Sequence, residues 1–258
     1  MWRKLRLGIL LLILAVVAWN NWYDRLSTTD WDETLTVGIF PIDETDDAAT
    51  HAHVAGLVDA DVVDVEDFLN EEAASYGVAV QRPVSVKMFP RVSEKPPERD
   101  PDSDMLGNMW WSLKMRAYAR RAALSTGQDM PQIRIFVRYH NPEFTQEVPH
   151  SVGMQKGLVG VVHAFADRKL RGSNNVVIAH EILHTLGATD KYDLASLAPL
   201  YPGGYAEPDR EPRHPQELTE IMAGRYALDE QTFEMPASLA EVVVGEATAG
   251  EIRWTTER

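Results

Sequence analysis

The chain contains no cysteine. That excludes a disulfide framework, a thiolate metal site and a cysteine nucleophile. It is compatible with either side of a membrane, so the absence does not assign a compartment. Positive charge is scarce: 25 Lys and Arg stand against 39 Asp and Glu, a formal net charge of -14. Binding of a phosphate backbone needs a basic surface that releases counterions, so no nucleic-acid partner is expected. There is no internal repeat and no low-complexity tract. Long apolar runs are also lacking, with one exception near the N-terminus. What remains is 258 residues, 45% of them hydrophobic, enough for one sizeable globular domain.

The exception is Leu7 to Ala18, LGILLLILAVVA, preceded by Arg3, Lys4 and Arg6 and followed by Trp19, Trp22 and Tyr23. A basic flank, an apolar core and interfacial aromatics describe a membrane segment with its positive end inside. The run is short for a span unless it extends from Leu5 to Tyr23. A cleaved secretory signal has a similar core, and Val16-Val17-Ala18 would serve as its cleavage site. The bulky Trp19 favours a retained anchor. The expectation is an anchor or signal over 1–24, a juxtamembrane linker over 25–34 and a catalytic or binding domain over 35–258. That domain would lie outside the cytoplasm, held at the membrane, or secreted if the segment is removed.

Downstream, hydrophobic periodicity sets the elements. Leu35 to Ile42 reads as a strand. Val62, Val65, Phe68, Leu69 and Ala73 recur at helical spacing up to Tyr76, and Gly77 closes that helix. Val78 to Phe89 reads as a strand, Arg91 to Asp104 as a Pro-rich charged loop, and Met105 to Leu124 as a long helix. Gln132 to Tyr139 and Gly157 to Phe165 are further strands, the latter expected as an antiparallel edge. Ser173 is placed to cap a helix ending at Leu186, with Gly187 as its stop. Leu197 to Pro215 holds five prolines and is irregular. Pro236 to Ala249 is expected to be a last helix. The order predicts an α/β (α+β) fold with one mixed sheet.

The chemistry concentrates in His180-Glu181-Ile182-Leu183-His184. On a helix, positions i and i+4 share a face, so both imidazoles can reach one metal ion. The carboxylate of Glu181 beside them has the place of a general base. Val176, Val177, Ile178, Ile182, Leu183 and Leu186 give the helix apolar faces to bury. After it, Gly187 permits a positive φ and a sharp reversal that returns Asp190 toward the histidines. Asp is an acceptable third zinc ligand, and three protein ligands leave a place for water.

The run H-E-x-x-H-x-x-G-x-x-D resembles the metzincin clan of zinc endopeptidases. The clan usually carries His at the third place, so Asp190 is a departure similar to the snapalysin-type variant. Glu220-Ile221-Met222-Ala223-Gly224 resembles the clan's Met-turn, which would set Met222 beneath the ligands as packing. The resemblance covers Val176–Asp190 and Thr219–Gly224 strictly, and the preceding elements loosely. It implies a metzincin-like zincin fold: a mixed twisted sheet with two long helices, an active-site helix and an irregular C-terminal subdomain. It also implies a peptidase with Zn2+ held by His180, His184 and Asp190, Glu181 as general base, and a peptide or protein substrate laid along the edge strand Gly157–Phe165. A zinc-binding interaction module that does not cleave is the competing reading; the intact Glu181 speaks against it. Some members place a Tyr two residues after the Met, where this chain has Gly224. Tyr192 and Tyr226 are the nearby candidates for stabilising an oxyanion, and Asp193 is a reserve third ligand.

Other polar groups have plainer readings. His51 and His53 sit in a polar stretch. Asp100, Asp102 and Asp104 lack the remainder of a calcium loop. His163 either lines a cleft or faces solvent. Trp110 and Trp111 are expected to pack. Tyr201 to Pro215 is a candidate cleft wall. The sequence leaves substrate preference and oligomeric state open.

Overall fold

The computed structural model describes residue 6 and residues 28–100, 102–155 and 157–255. Its centre is a five-stranded mixed sheet. In chain order the strands are β1 (Leu35–Asp43), β2 (Val84–Met88), β3 (Ile133–His140), β4 (Val152–Met154) and β5 (Val159–Phe165). Across the sheet they run β2-β1-β3-β5-β4. β1 is parallel to β2 and β3, β3 is parallel to β5, and β4 pairs antiparallel with β5. The helices are α1 (Ala48–Ala55), α2 (Val63–Ser75), α3 (Met105–Ser125), α4 (Arg171–Leu186) and the short α5 (Glu246–Glu251). Parallel neighbours need crossover connections: α1 and α2 lie between β1 and β2, α3 lies between β2 and β3, and the link from β3 to β5 carries β4.

Strand alternation divides the core into two layers. Leu35, Val37 and Ile39 of β1, with Ile133, Ile135 and Val137 of β3, join Phe68 and Leu69 of α2 and Ile178, Ile182 and Leu183 of α4. Phe40, Ile42 and Phe136 point the other way and pack on Met115, Tyr118, Ala119 and Ala122 of α3. The result is a sheet covered on both faces, as parallel strands require. The C-terminal third adds short pairs only: β6 (Thr219–Glu220) with β9 (Val242–Val243), and β7 (Tyr226–Ala227) with β8 (Phe233–Glu234). The irregular stretch before them is predicted by its prolines.

Several expectations are corrected. Residues 78–83 are irregular rather than strand, because Gly77 at φ 79° ends α2 and the Val78 amide bonds back to the Ala73 carbonyl. Strand pairing there begins only after Pro83. Ser173 does not cap α4. The helix follows a 3-10 turn at Arg168–Leu170 capped by Asp167, and the Ser173 hydroxyl donates to the Leu170 carbonyl instead. The last helix is six residues long rather than fourteen or so, since Leu239–Glu241 is a 3-10 turn and Val242–Val243 enters a strand pair. α1 escaped notice because its helix-forming signal is weak; Asp47 nucleates it by accepting from the Ala49 and Thr50 amides. Trp111 is partly buried, its indole donating to the Pro97 carbonyl, whereas Trp110 is 63% exposed rather than packed.

The edge strand is also corrected. β5 lies inside the sheet, and the antiparallel edge is β4. Three residues, one of them Gly153, leave no readable alternation, so the sequence pattern passed over β4.

The transmembrane, signal-anchor and membrane-location expectations are withdrawn. Among the described residues no helix is long and apolar enough to cross a membrane. The longest, α3, has the length but carries Lys114, Arg116, Arg120 and Arg121. The segment 1–24 on which the anchor was expected lies, Arg6 apart, outside the described residues.

Candidate metal centre

α4 buries Val176, Ile178, Ala179, Ile182, Leu183 and Leu186 and leaves His180 and His184 on a half-buried face. Helical periodicity puts the two histidines one turn apart. Their ring centroids are 4.6 Å apart and nearly perpendicular. The helix ends as its sequence predicts. Gly187 adopts φ 108°, its amide bonds to the His184 carbonyl, and the Ala188 amide reaches back to the Leu183 carbonyl. This is a Schellman stop, and it reverses the chain. The reversal also presents the Ala188 carbonyl to His184 Nδ1 at 2.8 Å.

His180 is held in the same way from a distant part of the chain. Its Nδ1 lies 2.8 Å from the carbonyl of Ile221. A carbonyl only accepts, so both Nδ1 atoms carry the proton. In the neutral rings the Nε2 lone pairs are then free to bind a cation. They converge on one carboxylate oxygen: Asp190 Oδ1 is 3.3 Å from His180 Nε2 and 3.1 Å from His184 Nε2. Ligand atoms about 2.0–2.1 Å from a tetrahedral zinc ion stand roughly 3.3 Å from one another. The donor set and its spacing therefore fit such an ion.

Glu181 lies in the wall behind this group. Donor atoms of His180, Glu181 and His184 all fall within 4.8 Å of one another. Glu181 is buried; its Oε2 has no hydrogen bond of good geometry, and the Gly153 amide gives only the weakest of the pulls on its carboxyl. Burial raises its carboxyl pKa, against the pull of both imidazoles. Asp190 shows the opposite balance. Burial works to raise it, but hydrogen bonds to His180 and His184 and their charges win, and hold it well below the usual carboxylate range. For His184, burial opposes the charge, yet the Asp190 hydrogen bond and the Glu181 charge raise its pKa overall.

The Ile221 carbonyl belongs to a tight turn. Glu220 is fully buried, and its backbone carbonyl accepts from the Ala223 and Gly224 amides. Its side chain accepts from the Ala223 amide at 2.9 Å and from the Thr248 hydroxyl at 2.6 Å. Gly224 takes φ 67°, and Met222 is wholly buried. The Met222 carbonyl accepts from the Lys191 amide, next to Asp190. One turn thus braces both His180 and the segment that carries Asp190.

A cavity of about 270 Å³ opens in front of His180 and Glu181. One side is the segment leading into β4, including His150 and Ser151; the other is Ala223, Gly224 and Arg225. Tyr192 lines it as well and hydrogen-bonds Asp190, so burial and that carboxylate raise its phenol pKa. Tyr226 does not reach the site; its hydroxyl is 3.3 Å from Glu234. Asp193 is occupied as the acceptor for the amides of Ala195 and Ser196.

His163 lines the cavity, buried rather than solvent-facing. Its Nδ1 is 2.9 Å from His140 Nε2, a contact across β3 and β5 that sequence alone did not suggest. His51 and His53 separate: His51 pairs with Arg91, and His53 packs on Tyr139. Asp104 is the N-cap of α3, and Asp100 accepts from the Asp102 amide. The Tyr201–Pro215 stretch does not line this cavity; Tyr201 and Tyr205 pack on each other. Arg225 carried no motif and was missed.

No family model matches the chain, and no curated protein matches it. Among solved structures, one described as "Structure of a chaperone-substrate complex" is similar over 87% of this chain, at 10% identity and a TM-score of 0.40. This chain spans 35% of the length of that one. A likeness of that size carries no functional argument.

Proposed function

We propose that this chain is a zinc metallopeptidase of the metzincin clan, with the snapalysin-like Asp in the third ligand position. The observation that carries the reading is the convergence of His180 Nε2 and His184 Nε2 on Asp190 Oδ1, beside the buried carboxyl of Glu181. Glu181 also lines the cavity, and burial raises its carboxyl pKa, an environment that suits a group exchanging protons.

His180, His184 and Asp190 would hold the ion, each imidazole fixed by a backbone carbonyl. The chemistry a bound zinc ion supplies is Lewis acidity toward a carbonyl oxygen and toward water. Glu181 takes a proton from the attacking water and passes it to the leaving amine. Its raised pKa suits a group that must both accept and release a proton. Tyr192, at the cavity wall, would exchange its hydrogen bond to Asp190 for one to oxygen that gains charge. β4, at the sheet edge where its approach forms one cavity wall, offers main-chain groups to an extended peptide.

The test compares the purified chain with Glu181→Gln for metal content and cleavage of a broad peptide library. The expected result is chelator-sensitive cleavage restored by zinc, falling about a hundred- to ten-thousandfold in a variant that keeps its metal. Bound metal with no cleavage would favour a silent zinc module. A folded protein that takes up no metal would overturn the reading.

A further inference from the structure

Arg225 lines the cavity in front of His180 and Glu181, half-buried. Among the described residues it forms no ion pair and no hydrogen bond. The other arginines nearest in sequence are engaged: Arg210 binds Glu207 and Glu217, and Arg213 lies over the Tyr201 ring. The protein has a large excess of acidic groups, so a lone guanidinium beside the candidate site is not a product of composition.

Its surroundings narrow what it would take. Val176, Val177, Leu197 and Met235 give the cavity apolar walls. A guanidinium among such walls is partly desolvated, which costs free energy until an anion arrives. The same desolvation strengthens the pairing once it forms. The planar fork matches a carboxylate with two parallel hydrogen bonds. Among the described residues, Arg225 is the one of fixed positive charge that this chain places on the cavity wall, so it marks the end that favours a ligand carboxylate.

We propose that Arg225 is a specificity-determining residue that receives a carboxylate of the substrate, with an aliphatic stem lying against Val176, Val177 and Leu197. This rests on the peptidase reading above. The carboxylate belongs either to an acidic side chain or to the peptide C-terminus, and the two sources separate experimentally.

Fluorogenic octapeptides are made in pairs, Glu against Gln at each position in turn, each with a C-terminal acid and a C-terminal amide. Cleavage by the zinc-loaded full chain is measured as kcat/KM. About tenfold preference for Glu at one position identifies a side-chain carboxylate; the same preference for acid over amide identifies the terminus. The ratio is expected to fall to about one in Arg225→Gln, to survive in part in Arg225→Lys, and to invert in Arg225→Glu. A ratio near one in the unaltered protein, or one that persists in Arg225→Gln, would overturn the assignment. Anisotropy of the same peptides on Glu181→Gln reads binding without turnover. If no peptide is cut, acid-selective binding that Arg225→Gln abolishes still supports the assignment, while equal binding of both members overturns it.

Discussion

Two pairs of histidines each send one member, His180 and His163, to the cavity wall, and the pairs are built oppositely. His180 and His184 sit one turn apart on α4, point their Nδ1 protons at backbone carbonyls, and aim their Nε2 atoms at a carboxylate. His140 and His163 sit on neighbouring strands and bond to each other at 2.9 Å, with no carboxylate between them. The electrostatic outcome follows. His184 is raised by Asp190 and Glu181, while burial and the Arg138 charge push His163 down to about 4. Burial lowers His140 as well. Of the two pairs, only the first combines a facing negative charge with a fixed tautomer, as the binding of a cation by two imidazoles requires. Proximity alone yields a neutral polar contact.

The comparison breaks most sharply at Asp190. Asp190→Asn makes the first pair resemble the second. Zinc affinity, measured by competition with a chromophoric chelator, is expected to fall at least about a hundredfold, beyond the loss typical of an outer partner. Retained affinity would show that the two histidines suffice.

The second pair gives a pH signature of known sign. With a native pKa near 4 against an unfolded value near 6.5, His163 is neutral in the native state while the unfolded chain takes up a proton. Its contribution is therefore full above about pH 6.5, is lost as pH falls toward 4, and changes no further below that. The loss is of the order of a few kcal/mol. Denaturant unfolding at pH 7 and pH 4.5 checks it, and His163→Gln should flatten the difference. A steeper slope in the variant would contradict the assignment.

The smallest effect concerns what seats α4 against the sheet. A Cβ on Gly153 would stand 2.5 Å from His184 Cβ and 2.6 Å from the Glu181 carbonyl oxygen. Helix backbone cannot withdraw as a side chain can. Gly153→Ala is expected to cost about 1–3 kcal/mol of stability and to weaken zinc binding with it. An unchanged melting temperature together with unchanged zinc affinity would mean that β4 yields without disturbing the first pair.

What the sequence determined by itself is local. Periodicity specified β1, α2, α3, β3 and most of α4, because side-chain direction repeats every two or 3.6 residues. The His180/His184 spacing and the Gly187 reversal were readable for the same reason, being properties of one helix and its stop. Tertiary structure decided the rest. β4 is too short to show a pattern and exists because β5 and α4 receive it. The Ile221 carbonyl that orients His180, the His140–His163 contact and the unpaired Arg225 all join residues distant in the chain or depend on what fails to approach them. Such relations leave no trace in local spacing, since they arise from packing, which brings together groups whose separation along the chain is arbitrary.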